Sequence, residues 1–320
     1  MELTFRAHDE DSPAERWRAH FTRVWPGYQE WFLKDGTRAR PTFLACEQAL
    51  ERHLPELAPV WRRLCELAGG GDVASRCLSL WCPPPFFGAC SQAVTGGVLV
   101  RNYDYAAPLC EAVLWKTCWL RPVIAMGDCL WGALDGINDA GLAASLSFGG
   151  RPEVGEGFGI PLVVRYLLEC CTTVPECRAV LQRVPVHMSY NLTLLDAHGD
   201  FVTAYLAPDR APVLRAWPCA TNHQGKVEWA AHAEVTGTVE REAFLADRLA
   251  DPTEDTERLV DRFAEAPLFW RGYARGWGTL YTSVYRPAER RMELRWPDER
   301  WRVGFTELVE RTHTVRYPLD

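Results

Sequence analysis

The chain has 320 residues, of which 48% are hydrophobic and 24% charged, a composition typical of a globular protein that needs no metal or disulfide to complete its core. Its net charge of -7 excludes an electrostatic drive toward nucleic acid or anionic membrane surfaces. The first residues lack the apolar segment of a secretory signal, and no apolar run is long enough to span a membrane. We therefore expect a cytoplasmic protein, and the scarcity of lysine among its 35 basic residues favours a bacterial one.

The first 80 residues have mostly helical patterns. Ser12–Glu15 forms a capping box with proline at the first helical position, and Pro26 with Gly27 predicts the end of that helix. Two further helical patterns follow, at 42–54 and 56–68. The prolines of Cys82–Pro85 exclude both a helix and an inner strand, so this segment is the clearest boundary in the chain.

Beyond that boundary the pattern changes to strands. Ala89–Val94 and Val98–Tyr105 are predicted strands joined by Gly96 and Gly97, a pair typical of a hairpin turn. Further strands are predicted at 131–135, 141–148, 190–196, 200–206, 278–285 and 291–295. Helices are predicted at 160–171, 174–183, 238–250 and 255–264. Paired strands with helices between the groups indicate an α+β fold built from antiparallel layers.

The twelve cysteines need an explanation, and four are open: a disulfide framework, a metal site, buried apolar residues, or one nucleophile among bystanders. Disulfides are not expected in a protein without an export signal. No two cysteines have the C-x-x-C spacing of common structural zinc sites, so we predict no metal. Burial and catalysis remain.

The hairpin around Cys90 brings charged residues close to one of these thiols. With a two-residue turn, Cys90 lies opposite Tyr103, and Arg101 lies on the same face one diagonal step away. A cation near the sulfur favours the thiolate, which is the nucleophilic form. Asp104 lies beside the Ala89–Cys90 peptide, where a carboxylate would matter only if that nitrogen became an amine. The alternative is a buried apolar cysteine beside an ordinary cross-strand ion pair.

Several motifs, in a fixed order, resemble those of the cysteine-type N-terminal-nucleophile hydrolases. That group includes penicillin V acylases, bile salt hydrolases, acid ceramidases and isopenicillin-N acyltransferases, the last being the most similar. The motifs are Cys90 followed by Arg101–Asp104, then Asp135–Leu142, Phe158–Leu162, Tyr190–Asp196, Thr221–His223 and Gly278–Tyr281.

The resemblance implies a fold, a processing event and a mechanism. The fold would be a four-layer αββα sandwich of two antiparallel sheets, with a helical pro-segment at 1–89 and a catalytic domain at 90–320. Cleavage between Ala89 and Cys90 would make Cys90 N-terminal. Its thiol would attack an amide carbonyl, its own α-amine would act as the base, and an acyl-thioester would form.

The resemblance also implies roles for individual residues. Asp104 would hold the α-amine, Arg101 would lie near the thiolate, and Asn222 would donate to the oxyanion. Arg241 is similar to a late arginine that braces the site in this group. Tyr103 and Ser147 are predicted to contact substrate, although bile salt hydrolases carry asparagine at the position of Ser147, which makes bile salts a poor substrate. Ala89 stands where isopenicillin-N acyltransferases have glycine.

We therefore predict an autoproteolytically activated amidohydrolase or acyltransferase that acts on linear amide bonds. Its partners would be a small-molecule amide or acyl substrate and, after processing, the two chains of one precursor, without nucleic acid or membrane. No cofactor is predicted, although acyl-CoA is a possible co-substrate for transfer. Two alternatives stay open: an unprocessed, non-catalytic binding protein with the same fold, and a thiol or metal protein of the cytosol.

Overall fold

The computed structural model describes residues 1–306 and 310–319. Its α-helices are α1 (Glu15–Phe32), α2 (Phe43–His53), α3 (Ala58–Leu67), α4 (Asp72–Leu78), α5 (Ile160–Cys170), α6 (Val174–Leu181), α7 (Ala230–Thr236), α8 (Thr238–Ala250) and α9 (Thr256–Arg262). Its strands are β1 (Glu2–Asp9), β2 (Ala89–Thr95), β3 (Val98–Tyr105), β4 (Val113–Cys118), β5 (Pro122–Asp128), β6 (Gly132–Asn138), β7 (Ala143–Phe148), β8 (Tyr190–Leu195), β9 (Phe201–Ala207), β10 (Arg210–Arg215), β11 (Cys219–Ala220), β12 (Gly278–Arg286), β13 (Arg291–Arg295), β14 (Arg300–Gly304) and β15 (Arg311–Arg316).

The strands form two sheets. One has nine strands in the order β10-β9-β8-β7-β6-β5-β4-β1-β15, and the other has six in the order β11-β2-β3-β12-β13-β14. Neighbouring strands run antiparallel except β1 and β4, which run parallel. The two sheets face one another where β2 packs against β7 and β8.

Helices cover the outer faces of both sheets. α5, whose residues are nearly all buried, packs on β5, β6 and β7 of the nine-stranded sheet. On the other side, Leu245 of α8 and Leu259 of α9 join a separate apolar cluster with Val98, Val100 and Val284 of the six-stranded sheet. The predicted α+β fold of four layers is confirmed.

The N-terminal segment differs from the prediction because it begins with a strand. β1 lies inside the nine-stranded sheet, parallel to β4 and antiparallel to β15. Phe5 and Ala7 alternate inward, but two apolar positions give a weak period-two signal in the sequence. The first 89 residues are therefore helical only in part, and they share backbone hydrogen bonds with the remainder of the chain.

The first helix also differs from the prediction at both ends. α1 begins at Glu15, and the Glu10 carboxylate, not Ser12, accepts hydrogen bonds from the first backbone N–H groups, including those of Arg16 and Trp17. The helix continues through Pro26 to Phe32. Proline removes one hydrogen bond there, yet the residues beyond it are held by the rest of the chain, since Tyr28 donates to Glu111 and Phe32 is buried.

The β2–β3 hairpin has the predicted register. Cys90 pairs with Tyr103, Gln92 with Arg101, and Ala89 with Asp104. Gly96 and Gly97 both have positive φ angles, of 51° and 76°, as a two-residue hairpin turn with this strand twist requires. The hairpin lies in the six-stranded sheet, between β11 and β12.

Candidate active site

Cys90 is held at both its sulfur and its backbone nitrogen. Arg101 Nη2 donates to Cys90 Sγ over 3.1 Å, and the Cys90 N–H donates to Asn222 Oδ1 over 3.1 Å. Cys90 is only 1% exposed and Ala89 is fully buried. The peptide bond between them is therefore enclosed, and different side chains hold the sulfur and the nitrogen of Cys90.

Arg101 is fixed on the sulfur side by a buried polar cluster. Its guanidinium forms an ion pair with Asp135, donates to the Leu146 carbonyl over 2.9 Å, and donates to the Tyr281 hydroxyl over 3.1 Å. Tyr281 and Tyr285 both donate to Asp135. These bonds leave one guanidinium nitrogen directed at Cys90.

Sequence reasoning did not identify Asp135 as a site residue. It is fully buried on β6, where its carboxylate compensates the charge of Arg101. The sequence does carry a signal, because Asp135 is the one ionisable residue within β6 (Gly132–Asn138). A charge in such a strand requires a buried partner, although the pattern alone does not indicate which one.

A second buried cluster lies on the nitrogen side. Arg241 Nη1 donates to Asp104 Oδ2 over 3.0 Å, and Arg241 Nη2 donates to Asn222 Oδ1 over 2.8 Å. The Thr279 hydroxyl donates to Asp104 Oδ1 over 2.6 Å. Since Asp104 pairs with Ala89 across the hairpin, its carboxylate is held beside the peptide that precedes Cys90.

Asn222 is oriented by its partners. Its Oδ1 accepts from both the Cys90 nitrogen and Arg241, so the amide oxygen faces the backbone of Cys90, while Nδ2 donates to the Phe148 carbonyl over 3.0 Å. One amide hydrogen is thus already used in the intact chain. The role of Asn222 as an oxyanion donor stays a prediction, and it would need the other Nδ2 hydrogen.

Burial governs the ionisation of the site. It raises the pKa of the Cys90 thiol, and Asp104 adds to the rise, while the nearby guanidinium groups of Arg101 and Arg241 oppose it. The cation was expected to favour the thiolate, but desolvation outweighs it in the intact chain. Burial likewise raises the pKa of Asp104 against Arg241, Thr279 and Arg101.

The two predicted substrate contacts occupy different positions. Tyr103 pairs with Cys90 across the hairpin. Arg101 Cζ is 4.8 Å from the centre of its ring, and Tyr105 stacks on it with ring centres 5.4 Å apart. Ser147 is fully buried between the sheets, where its hydroxyl donates to the Thr221 carbonyl over 2.6 Å. It supports the backbone just before Asn222.

A cavity of about 380 Å³ adjoins this region. Tyr28 and Trp31 of α1 line one side, Phe86 lines another, and Tyr105 at the end of β3 and Asp128 at the end of β5 complete the wall. Tyr105 lines the cavity and stacks on Tyr103, which pairs with Cys90 across the hairpin. The cavity therefore lies two residues along β3 from the residue opposite Cys90. Residues on both sides of the Ala89–Cys90 bond therefore form its walls.

Two general features bear on cofactors and membranes. Across 1–306 and 310–319, no three His, Cys, Asp or Glu side chains are grouped so that they could hold a metal ion. All twelve cysteines are free thiols. Within the same residues, no helix is long and apolar enough to cross a membrane.

Several solved structures resemble the chain. A mutant conjugated bile acid hydrolase from Clostridium perfringens is 13% identical and covers 72% of this chain and 97% of its own, with a TM-score of 0.46. Penicillin V acylase from Agrobacterium tumefaciens is 16% identical over 69% of this chain and 87% of its own, with a TM-score of 0.45. A Caenorhabditis elegans N-acylethanolamine-hydrolyzing acid amidase ortholog is 14% identical over 68% and 100%, also with a TM-score of 0.45.

A search with the sequence finds no significant match among curated proteins. A family model described as acyl-coenzyme A:6-aminopenicillanic acid acyl-transferase does match, over residues 92–301. The matched region begins just after Cys90 and contains Arg101, Asp104, Asn222 and Arg241. Because it spans more than half of the sequence, the chain belongs to the acyl-coenzyme A:6-aminopenicillanic acid acyl-transferase family.

Proposed function

We propose that the chain is a cysteine amidohydrolase or acyltransferase that activates itself by cleaving the Ala89–Cys90 bond. The observation that carries the proposal is the separate binding of the two atoms of Cys90 that would react. Its sulfur is bound by Arg101, and its nitrogen is bound by Asn222. A buried structural cysteine needs an acceptor for its backbone N–H but no cation at its sulfur, whereas a residue that serves as both nucleophile and base uses both contacts.

Self-cleavage fits the burial of this bond. Ala89 is 0% and Cys90 1% exposed, so a separate protease could not reach the peptide between them. Cys90 Sγ would attack the Ala89 carbonyl carbon, the C–N bond would break, and the thiol proton would pass to the departing nitrogen. Water would then hydrolyse the thioester, giving its hydroxyl to Ala89 and returning a hydrogen to the sulfur.

The freed α-amine would be the base for substrate turnover. It would take the thiol proton, the thiolate would attack the substrate carbonyl, and the ammonium would return the proton to the leaving amine. Asp104 and Asn222 Oδ1 would hold that ammonium. The pairing of Asp104 with Ala89 and the bond from the Cys90 nitrogen to Asn222 support these roles. The new positive charge beside the sulfur would also oppose the effect of burial on the thiol.

The acyl-thioester could pass its acyl group either to water or to an amine. Water gives hydrolysis of a linear amide, and an amine gives acyl transfer. The family description favours acyl-CoA as a donor for transfer, in the role of a co-substrate and not of a resident cofactor. The substrates proposed for this chain are small amides or acyl donors.

The two chains should stay associated after cleavage. β1 keeps backbone hydrogen bonds to β4 and β15, both of which follow Cys90 in the sequence. Tyr28 of α1 also donates to Glu111 Oε1 over 2.5 Å, and His20 binds the same carboxylate. We therefore expect residues 1–89 and 90–320 to purify together.

Mass spectrometry of the purified protein tests the proposal. We expect two fragments, 1–89 and 90–320, that comigrate in gel filtration, and turnover in a panel of N-acyl amino acids and peptides, with and without acyl-CoA donors. An intact chain that turns over no substrate and does not react with a thiol-directed substrate analogue would contradict the proposal. It would favour the non-catalytic binding protein.

A further inference from the structure

The residues just before the Ala89–Cys90 bond contact specific side chains elsewhere in the protein. We call Phe86–Ala89 the acyl-side segment, because it lies on the carbonyl side of the Ala89–Cys90 bond. The segment follows the proline run and belongs to no helix or strand until Ala89 begins β2. Each of its first three residues has a distinct set of neighbours.

Phe87 lies between two aromatic side chains. Its ring centre is 5.2 Å from that of Phe148 and 5.4 Å from that of Trp229, both with edge-to-face geometry. His232 supports these two rings, stacked on Trp229 at 5.2 Å and edge-on to Phe148 at 5.0 Å. Edge-to-face pairs of this kind stabilise an aromatic ring beyond its burial alone. We call Phe148, Trp229 and His232 the Phe87 seat.

The backbone next to Phe87 lies near His232. Burial lowers the pKa of His232 to about 4, and the nearby Gly88 carbonyl opposes that shift. A neutral imidazole still carries one N–H that can donate to a carbonyl. The seat can therefore bind a peptide carbonyl as well as an aromatic ring.

Phe86 differs from Phe87 because it lies beside open space. Its ring centre is 5.5 Å from that of His187, 5.9 Å from that of Tyr190 and 6.0 Å from that of Trp31, and the ring forms part of the wall of the 380 Å³ cavity. A side chain at this position has open space beside it. Both phenylalanines therefore have aromatic neighbours, and they differ because Phe86 lines the cavity whereas Phe87 does not.

From these contacts we infer that the processed enzyme accepts peptidyl amides with an aromatic side chain two residues before the cleaved carbonyl. The inference rests on the proposed function, because it requires that Cys90 Sγ attack both the Ala89 carbonyl and the substrate carbonyl. The acyl sides of both reactions then start from the same point and extend along the same walls. Once the acyl-side segment withdraws, the Phe87 seat is free for the equivalent ring of a substrate.

Peptide anilides test this directly on the processed wild-type enzyme. The parent substrate is acetyl-Phe-Phe-Gly-Ala-p-nitroanilide, whose C–N bond to nitroaniline breaks while water supplies the hydroxyl to the acyl carbon and the hydrogen to the amine. Alanine in place of the second phenylalanine should lower kcat/KM about tenfold or more. Alanine in place of the first should lower it only about threefold, because that ring meets the open cavity.

A pair of tryptophan variants locates the preference. Trp229→Ala should abolish most of the difference in kcat/KM between the parent anilide and the anilide with alanine in place of the second phenylalanine. Trp217→Ala should leave that difference unchanged, since Trp217 is an exposed tryptophan outside the seat. Mass spectrometry checks that each variant is processed. The wild-type comparison of the peptides stands even where Trp229→Ala slows processing. The free acid acetyl-Phe-Phe-Gly-Ala should inhibit competitively.

The outcomes separate this inference from the proposed function. A processed enzyme that turns over small N-acyl amino acids, yet cleaves all three anilides equally or cleaves none and is not inhibited by the free acid, overturns the inference alone. An unprocessed wild-type chain overturns the proposed function, and the inference with it.

Discussion

Two buried arginines approach Cys90 from different sides, and they differ in what they hold. On the sulfur side, Arg101 contacts Sγ and is compensated by Asp135. On the nitrogen side, Arg241 binds Asp104 and Asn222, and Asn222 in turn accepts from the Cys90 nitrogen. Under the proposed mechanism, the Arg101–Asp135 ion pair would act on the thiol of Cys90, and the Arg241–Asp104 ion pair would act on its α-amine.

The largest expected effect comes from removing the atom that the sulfur side binds. Cys90→Ala should abolish both cleavage and turnover while leaving the fold intact, because the sulfur is the group that would attack both carbonyls. Cys219→Ala is the matched control, since Cys219 is a fully buried thiol on β11, next to β2. Gel electrophoresis and the anilide assay measure both. Cleavage that persists in Cys90→Ala would mean that neither side serves a reactive residue.

Asp135→Asn tests whether the sulfur side depends on charge compensation. Leaving Arg101 buried without its carboxylate should lower the free energy of unfolding by about 3–5 kcal/mol. The measurement is urea unfolding in the Cys90→Ala background, where the chain stays intact. A loss below about 1 kcal/mol would show that Arg101 does not need this partner.

Glu169→Gln provides the control for Asp135→Asn. Glu169 pairs with Arg165 over 3.5 Å, and both side chains are fully buried on α5, away from Cys90. This variant should also be destabilised, for the same reason. With Cys90 present, however, it should retain normal cleavage, whereas Asp135→Asn should not. Equal cleavage in both would contradict a specific role for the sulfur side.

The two sides were not equally predictable from the sequence. The hairpin register follows from local information, a glycine pair between alternating strands, and it places Arg101 and Asp104 beside Cys90. Asn222 and Arg241 came from the resemblance to a family, and they do contact this centre. Asp135 could not be paired with Arg101, because that contact depends on how two sheets face one another across the core.

The same distinction explains the errors in the fold. The pairing of β1 with β4 and β15 joins segments that are far apart in sequence, and no local pattern specifies such partners. Pro26 is a local signal for a helix end, but beyond it Tyr28 binds Glu111 and Phe32 is buried, and the helix continues to Phe32. Where such long-range contacts decide, local patterns specify neither the partners of a strand nor the end of a helix.

Asp128→Asn extends the comparison to a third carboxyl group. Asp128 binds neither Arg101 nor Arg241, although the charge of Arg101 still lowers its pKa. Burial raises the pKa of Asp128 to about 7, Glu111 adds to the rise, and Arg101 opposes it. The Tyr28 hydroxyl, 2.5 Å from Glu111 Oε1 and 2.9 Å from Asp128 Oδ1, has one hydrogen and cannot donate to both. A proton on Asp128 resolves this, because the acid can then donate to Tyr28.

The sign of the effect follows from that raised pKa. The folded chain binds the proton more tightly than the unfolded chain does, so this stability is fully present below about pH 4 and is lost as pH rises toward 7. Asp128→Asn should remove this pH-dependent loss of stability. At pH 8 its free energy of unfolding in urea should exceed that of the chain with Asp128 by about 2 kcal/mol. Asp209→Asn serves as the control, because Arg151 lowers the pKa of Asp209 to about 2. Removing that carboxylate should lower the stability at pH 8, the opposite of the change expected for Asp128→Asn. If Asp128→Asn does not raise the free energy of unfolding at pH 8, the folded chain does not carry a proton on Asp128.

The smallest and most specific effect is a pair of opposite shifts in the pH profile of cleavage. Asp104 raises the pKa of the Cys90 thiol and Arg101 lowers it. Asp104→Asn should therefore move the profile to lower pH, by about half a unit to one unit. Arg101→Met combined with Asp135→Asn, which removes both charges of the ion pair, should move it to higher pH by a similar amount.

First-order cleavage rates of freshly refolded precursor, followed across pH by gel electrophoresis, measure both shifts. Slower cleavage alone would not distinguish the two sides, because any disturbance of a buried site can slow a reaction. A shift in the midpoint of the pH profile reports a change in charge near the sulfur. A shift to lower pH is expected when Asp104 is changed, and a shift to higher pH when the Arg101–Asp135 pair is removed. Two shifts in the same direction would mean that the sulfur and the nitrogen of Cys90 share one electrostatic environment, and the division between Arg101 and Arg241 would fail.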